Sequence, residues 1–251
     1  MGLLDSLFGP GKTPNAQRIA SQVKALKQRH GDPSFRYAAA DTLAGWATPE
    51  AIEALLSRFT VNVASELSDE AEKTYIAELL TDKIGRAAVE PLEAYLREYA
   101  QVSWPLRILS RIVEPDDLRE RCMRVLSRLD THFDRLPERK IEMLRFLLDH
   151  AEHEAIATAA QRFLEDTDDR VRIHAIELLA ASGRPEGIAA MVTCLGESAD
   201  RPRVLAALGS ALEGRAKALA ENAAVAAPLM AAGFTLSKEG TLNRAVGKRQ
   251  A

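Results

Sequence analysis

Aromatic side chains are scarce in this chain: Phe, Tyr and Trp make up only 5% of its 251 residues. Sheets favour β-branched and aromatic residues at alternating positions, whereas here Ala and Leu dominate and few segments alternate. An all-α fold follows. Cysteine is nearly absent too, and two residues cannot build a disulfide framework. Cys122 and Cys194 sit among helical apolar positions and read as core packing, without a neighbouring His–Asp pair to make either a nucleophile. No apolar run approaches the ~20 residues that span a bilayer. The N-terminus lacks a basic stretch followed by an apolar core, so the expected location is cytoplasmic. Net charge is also small, −3 with a pI near 6.0, which argues against a duplex-binding protein carried by basic charge.

What the chain does contain is an internal repeat. Residues 32–59 align with 168–195 at an offset of 136. Asp32/Asp168, Arg36/Arg172, Ala39/Ala175, Leu43/Leu179, Pro49/Pro185, Glu50/Glu186 and Ile52/Ile188 are identical in that register. Phe35/Val171 and Phe59/Leu195 keep apolar character. Long-range self-similarity between short helical segments marks a stacked helical array, an architecture that offers extended surfaces for binding.

The rest of the chain fits that scheme. An apolar segment over 1–9, with Leu3, Leu4, Leu7 and Phe8 at helical spacing, is separated by Gly9-Pro10-Gly11 from the body, so 1–14 forms a tethered segment and linker. A helix over about 15–29 opens the array. Five helix pairs follow, with first helices expected near 34–46, 69–82, 103–112, 137–149 and 169–181. Their second helices register on Ile52, Val89, Leu118, Ile156 and Ile188, at intervals of 37, 29, 38 and 32 residues. Acids, or Pro beside acids, stand at the second-helix starts, where they complement the helix dipole. Glu90-Pro91 lies inside the apparent start at Gly85, which predicts a kink or a late start there. A sixth pair is expected near 201–212 and 215–231. The array runs to 232, and 233–251 reads as a hairpin-like cap, with its turn near Glu239-Gly240, and a basic tail.

Asp-x-x-Phe/Val-Arg-x-x-Ala-x-x-x-Leu followed by Pro-Glu-x-Ile resembles the HEAT-repeat family, including its short bacterial HEAT-like members. The resemblance is strongest over 32–59 and 168–195. It implies a right-handed α-solenoid of five to six helix pairs, whose second helices line a concave face used to bind proteins. It also implies that Asp32/Arg36 and Asp168/Arg172 form a ladder between neighbouring repeats. Tetratricopeptide repeats would keep a strict 34-residue period and a Trp-Leu-Gly-Tyr pattern that is absent.

Catalytic motifs are thin. Gly11-Lys12-Thr13 mimics the end of a phosphate-binding loop, but Ser6 stands where its first Gly belongs and no strand precedes it. His150, His153 and Glu154, with Asp149, cluster at one inter-helix turn, which reads as a solvated turn rather than a metal site. The irons of the HEAT-like deoxyhypusine hydroxylases are held by four His-Glu pairs, and only His153-Glu154 occurs here. Similar solenoids also include phycobilin lyases, for which no pigment site is evident. The expectation is a non-catalytic protein-interaction scaffold without cofactor or metal. The alternative is a nucleic-acid-binding or repair protein resembling the alkylpurine DNA glycosylases, with Trp104 as its exposed aromatic; nucleic acid is the less expected partner.

Charge locates the expected partner site. Basic and acidic groups number six against three in 1–49, five against eleven in 50–100, ten against eight in 101–145, four against eleven in 146–200 and eight against three in 201–251. In the third second helix Arg121, Arg124 and Arg128 fall on one face. With Arg58, Arg97 and Arg162 at comparable groove positions, they would form a ridge accepting an acidic segment of another protein. Met1-Gly2-Leu3-Leu4-Asp5-Ser6 matches a myristoylation pattern, which needs a eukaryotic enzyme. Without a lipid, Leu3, Leu4, Leu7 and Phe8 are too few for stable membrane anchoring and suit peptide docking.

Overall fold

The computed structural model describes residues 14–132, 136–214, 227, 229–237 and 241–244. It is mostly helical, as expected for an all-α chain. Twelve α-helices lie among the described residues: α1 Ala16–Leu26, α2 Pro33–Trp46, α3 Pro49–Leu56, α4 Glu66–Glu78, α5 Val89–Glu98, α6 Ser103–Ile112, α7 Pro115–Leu126, α8 Pro137–Leu147, α9 Glu154–Gln161, α10 Asp169–Ser182, α11 Pro185–Glu197 and α12 Pro202–Leu212. Two short strands, β1 Phe234–Leu236 and β2 Leu242–Arg244, pair antiparallel with Phe234 opposite Arg244. No described helix is long and apolar enough to cross a membrane. The apolar segment 1–9, most of 215–231, the turn at Glu239-Gly240 and the basic tail lie outside the described residues. The chain divides into two compact units, residues 1–121 and 122–251.

In the first unit α1 lies against α2 and α3; α2 also packs on α4, and α3 on α5. First helices therefore neighbour first helices, and second helices neighbour second helices. The caps explain the boundaries. Asp32 accepts the backbone N–H of Ser34 at 2.8 Å, with Pro33 at the first helical position of α2. Thr48 accepts from the Ala51 N–H ahead of Pro49. Ser65 caps α4, so that helix starts at Glu66, ahead of the expected residue 69. A π turn over Leu79–Ile84 and a 3-10 turn over Gly85–Ala88 then delay α5 to Val89. Pro91 thus falls in the first turn, where its missing N–H costs nothing.

Ser68, Asp69 and Glu72 lie inside α4 and serve another task. Arg36 of α2 donates from Nε and Nη2 to the two carboxylate oxygens of Glu72 at 2.8 and 2.7 Å. Arg58, fully buried at 0% exposure, donates to Asp69 at 2.7 Å and to Glu72 at 3.0 Å. Lys73 closes on Asp69 at 2.6 Å, and the Ser68 hydroxyl donates to Glu72. This buried cluster joins the first helix pair to the second. It also corrects the expected ladder: Asp32 caps its helix, and the partner of Arg36 is Glu72, 36 residues on.

In the second unit α8, α10 and α12 lie side by side, with α9 beside α11. Asp168 caps α10 through the Arg170 N–H at 2.8 Å, and Arg172 turns to the Asp166 carbonyl rather than to a ladder aspartate. Lys140 of α8 reaches Asp166 at 2.6 Å, with side-chain exposures of 1% and 0%. The strand pair sits on α12. Gly209 leaves room for the buried Phe234 ring, which would lie 2.6 Å from a β-carbon at that position, and the Gly214 N–H donates to the Leu242 carbonyl.

Candidate functional site

The expected arginine ridge is largely spent on internal partners. Arg121 of α7 donates to Glu93 at 2.7 Å, to Glu90 at 3.0 Å and, through Nε, to Asp117 at 2.9 Å. Only 15% of its side chain is exposed. Burial works against its charge, and the hydrogen bonds to Glu90 and Asp117 outweigh that, leaving its pKa raised. Arg97 is half-exposed and pairs with the same Glu93, four residues back on α5. Arg58 corrects the expectation outright: it belongs to the buried Asp69–Glu72 cluster and no part of it faces a groove. Arg162 is exposed, but its guanidinium donates to the carbonyls of Ser127 and Leu129 at 2.9 and 2.7 Å. It thereby serves backbone acceptors just past the end of α7, where a cation also suits the dipole. Arg124 and Arg128 are exposed, the former on α7 and the latter in the turn beyond it.

Trp104 is half-buried. Its ring stacks on the buried Phe59 at 5.8 Å and 15°, and the Arg107 guanidinium lies 5.4 Å from its centroid. Such a ring is anchored rather than presented as a platform. Trp46 is half-buried as well, with Arg18 placed 5.1 Å from its centroid. Cys122 and Cys194 are both buried thiols outside any disulfide, and burial pushes the Cys194 thiol up from its ordinary value.

The first-helix faces carry hollows that the ridge argument did not anticipate. In the second unit an open groove of about 970 Å³ runs over α8, α10 and α12. Short side chains make the space: Ala180 and Ala181 on α10 face Ala207 and Ala211 on α12. Arg145 and Leu148 border it from the end of α8, both exposed. His174 lies in the wall with Nδ1 2.7 Å from Glu177 Oε2, one helical turn further along α10. The groove therefore offers an apolar floor, one arginine and one imidazole–carboxylate pair. The signal in the sequence was there to read, as alanines at helical spacing on outward positions of consecutive first helices.

In the first unit a hollow of about 460 Å³ lies between α2 and α4, lined by Tyr37, Leu67, Ala71 and Tyr75 with Glu70 and Glu78. Phe35 and Leu67 are exposed to 64% and 84%. The Tyr37 and Tyr75 rings meet edge to face at 5.0 Å. Tyr75 donates to Asp41, and this hydrogen bond pushes its pKa up to about 12. The phenol thus stays protonated throughout the neutral range. A smaller hollow of about 100 Å³ lies on the second-helix side, between α3 and α5, beside the stacked Tyr95 and Tyr99.

No family model matches the chain, and comparison with curated proteins and with solved structures gives no match either.

Proposed function

We propose that the chain is a HEAT-like right-handed helical array and works as a non-catalytic protein-interaction module. The repeat reading is supported by the shared construction of residues 32–59 and 168–195. Both start with an aspartate N-cap, run a 14-residue helix, end on a left-handed residue (Ala47, Gly183) and resume with proline at the first helical position. The interaction reading is carried by one observation, the open groove over α8, α10 and α12. A floor of alanines admits a helix or extended segment at close range, and Leu148 supplies apolar contact. The partner is an amphipathic segment of another protein whose acidic residue meets Arg145. This keeps the acidic partner expected from the sequence and moves its seat from the second-helix ridge to the first-helix face.

The test is site-directed photocrosslinking in cells of the native host. A photoreactive residue at Ser210, in the groove, is compared with one at Ala189, exposed on α11. A discrete protein adduct at Ser210, absent at Ala189 and weakened by Arg145→Glu, supports the reading. Equal labelling at both positions, or no protein adduct at Ser210, overturns it, and a nuclease-sensitive adduct moves the assignment to a nucleic-acid partner.

A further inference from the structure

We propose that His150, Glu152 and His153 form a binding site for a divalent transition ion of the zinc class. The three residues lie where α8 ends and α9 begins. Leu148–His150 makes a 3-10 turn, and His153 is the N-cap residue of α9. Two backbone hydrogen bonds tie the turn, from Ala151 N–H to the Leu148 carbonyl and from His153 N–H to the His150 carbonyl, both 3.2 Å. Ala151 is buried while His150 and His153 are half-buried and Glu152 is exposed. The inward alanine therefore turns its neighbours' side chains to one outer patch.

The donor set has the right chemistry and nearly the right spacing. Two imidazoles and one carboxylate suit a borderline ion that takes nitrogen and oxygen ligands, and leave one tetrahedral position for water. Ligands about 2.0–2.2 Å from zinc stand about 3.3 Å from one another. His153 Nε2 and Glu152 Oε1 are already 3.1 Å apart, and one ligand atom from each of the three residues lies within 4.8 Å of the others. Closing the remainder takes side-chain rotation, with the turn's backbone unchanged. The Phe146 ring, 6.2 Å from that of His150, backs the imidazole from the apolar side. Charge around the turn also favours a cation: Asp149 and Glu154 are exposed there with Glu152. Arg184 opposes them, donating to the Glu152 carbonyl and lying 3.7 Å from Glu154.

The motif stands in the sequence as His-Ala-Glu-His; the structure brings Glu152 to the two histidines, where the sequence suggested Glu154 and Asp149. Local geometry makes the difference. Glu154 belongs to α9 and faces Arg184, whereas Glu152 shares the turn with both imidazoles.

Zinc titration of the chelator-stripped full chain, in competition with a chromophoric chelator, tests the site. Wild type and the control His174→Ala are expected to bind one zinc per chain. His150→Ala and His153→Ala should each weaken it by at least about tenfold, and the double variant should abolish it. Glu152→Gln should weaken it while retaining both imidazoles. Thermal melts of the metal-free variants confirm that each is folded. Failure of wild type to bind zinc at micromolar concentration, or equal binding by the double variant, overturns the proposal.

Discussion

Replacing Asp166 by asparagine isolates the charge of the Lys140–Asp166 pair. Asparagine keeps the shape of the side chain and an oxygen for the Asp168 N–H, which Asp166 Oδ1 accepts at 3.0 Å. It removes only the negative charge from a lysine that is 1% exposed and sits 2.6 Å away. Among the described residues, that ammonium is then left with the Asp130 carbonyl at 2.9 Å, which cannot neutralise it. Breaking a buried pair from one side costs about 3–5 kcal/mol, because the surviving charge is left desolvated. At about 2–4 °C per kcal/mol for a chain of this size, the melting temperature should fall on the order of 10 °C. The double variant Lys140→Met/Asp166→Asn removes both charges and should recover most of that loss, since a hydrophobic replacement of a buried pair is near neutral. Urea denaturation of the single and double variants, followed by circular dichroism, measures the coupling directly. A loss below about 1 kcal/mol in Asp166→Asn, or a double variant no better than the single, would refute the reasoning.

Three further perturbations follow from particular residues. Ala47 ends α2 with φ 50°, a left-handed conformation that glycine adopts at no steric cost, and the aligned position is Gly183. Ala47→Gly should stabilise by about 0.5–1 kcal/mol and Gly183→Ala should destabilise similarly, read from denaturation midpoints. Gly209→Ala drives a methyl group into the Phe234 ring, so overpacking should cost about 1–3 kcal/mol, and trimming the ring in Gly209→Ala/Phe234→Leu should return part of it. Acid should loosen the first helix pairs. For Glu72, burial raises the pKa while hydrogen bonds from Arg36 and Arg58 lower it further, and Asp69 is likewise held low against burial by Lys73 and Arg58. Both folded pKa values lie below the unfolded ones, so their stabilisation is complete above the ordinary carboxylate range of about pH 4 and is lost as pH falls through the depressed values. Protection factors of α2 and α4 amides, referred to the intrinsic exchange rate at each pH, should therefore fall below about pH 4 in wild type, and constant protection there would count against the cluster.

Helix positions were legible in the sequence because capping is local. Asp32, Thr48 and Asp168 each satisfy an N–H two or three residues along, so the information sits inside the segment it delimits. The expected 103–112 helix matches α6 although its N-cap Val102 makes no side-chain cap; its end is set locally by the extended Val113 ahead of Pro115. The start of α4 differs from the expected residue 69 because Ser65 and Ser68 offer the same hydroxyl, and Ser65 is the cap. Only the packing of Glu72 against Arg36 and Arg58 decides that Ser68 lies inside the helix. The delayed start of α5 was legible as an alternative, through Glu90-Pro91, though its π turn has no local sequence mark.

Site residues were less legible because a helical wheel gives a side chain's direction and leaves out what the neighbouring helix brings to meet it. Arg58 and Arg162 occupy one register, each preceding a phenylalanine in the 3-10 turn that closes its second helix. One is buried among carboxylates because α4 supplies Asp69 and Glu72; the other satisfies the backbone after α7 because Ser127 and Leu129 leave carbonyls there. Arg121 is drawn in by Glu90 and Glu93 on α5, acids that the wheel of α7 alone does not show. A ridge inferred from like charges at helical spacing carries its own counterargument. Three guanidiniums on one face repel, and a fold lowers that cost by supplying acids from adjacent helices. Alanines at outward positions impose no such demand. Space between their helices survives packing because no side chain fills it, and that is why the groove over α10 and α12 is open where the arginine ridge is not.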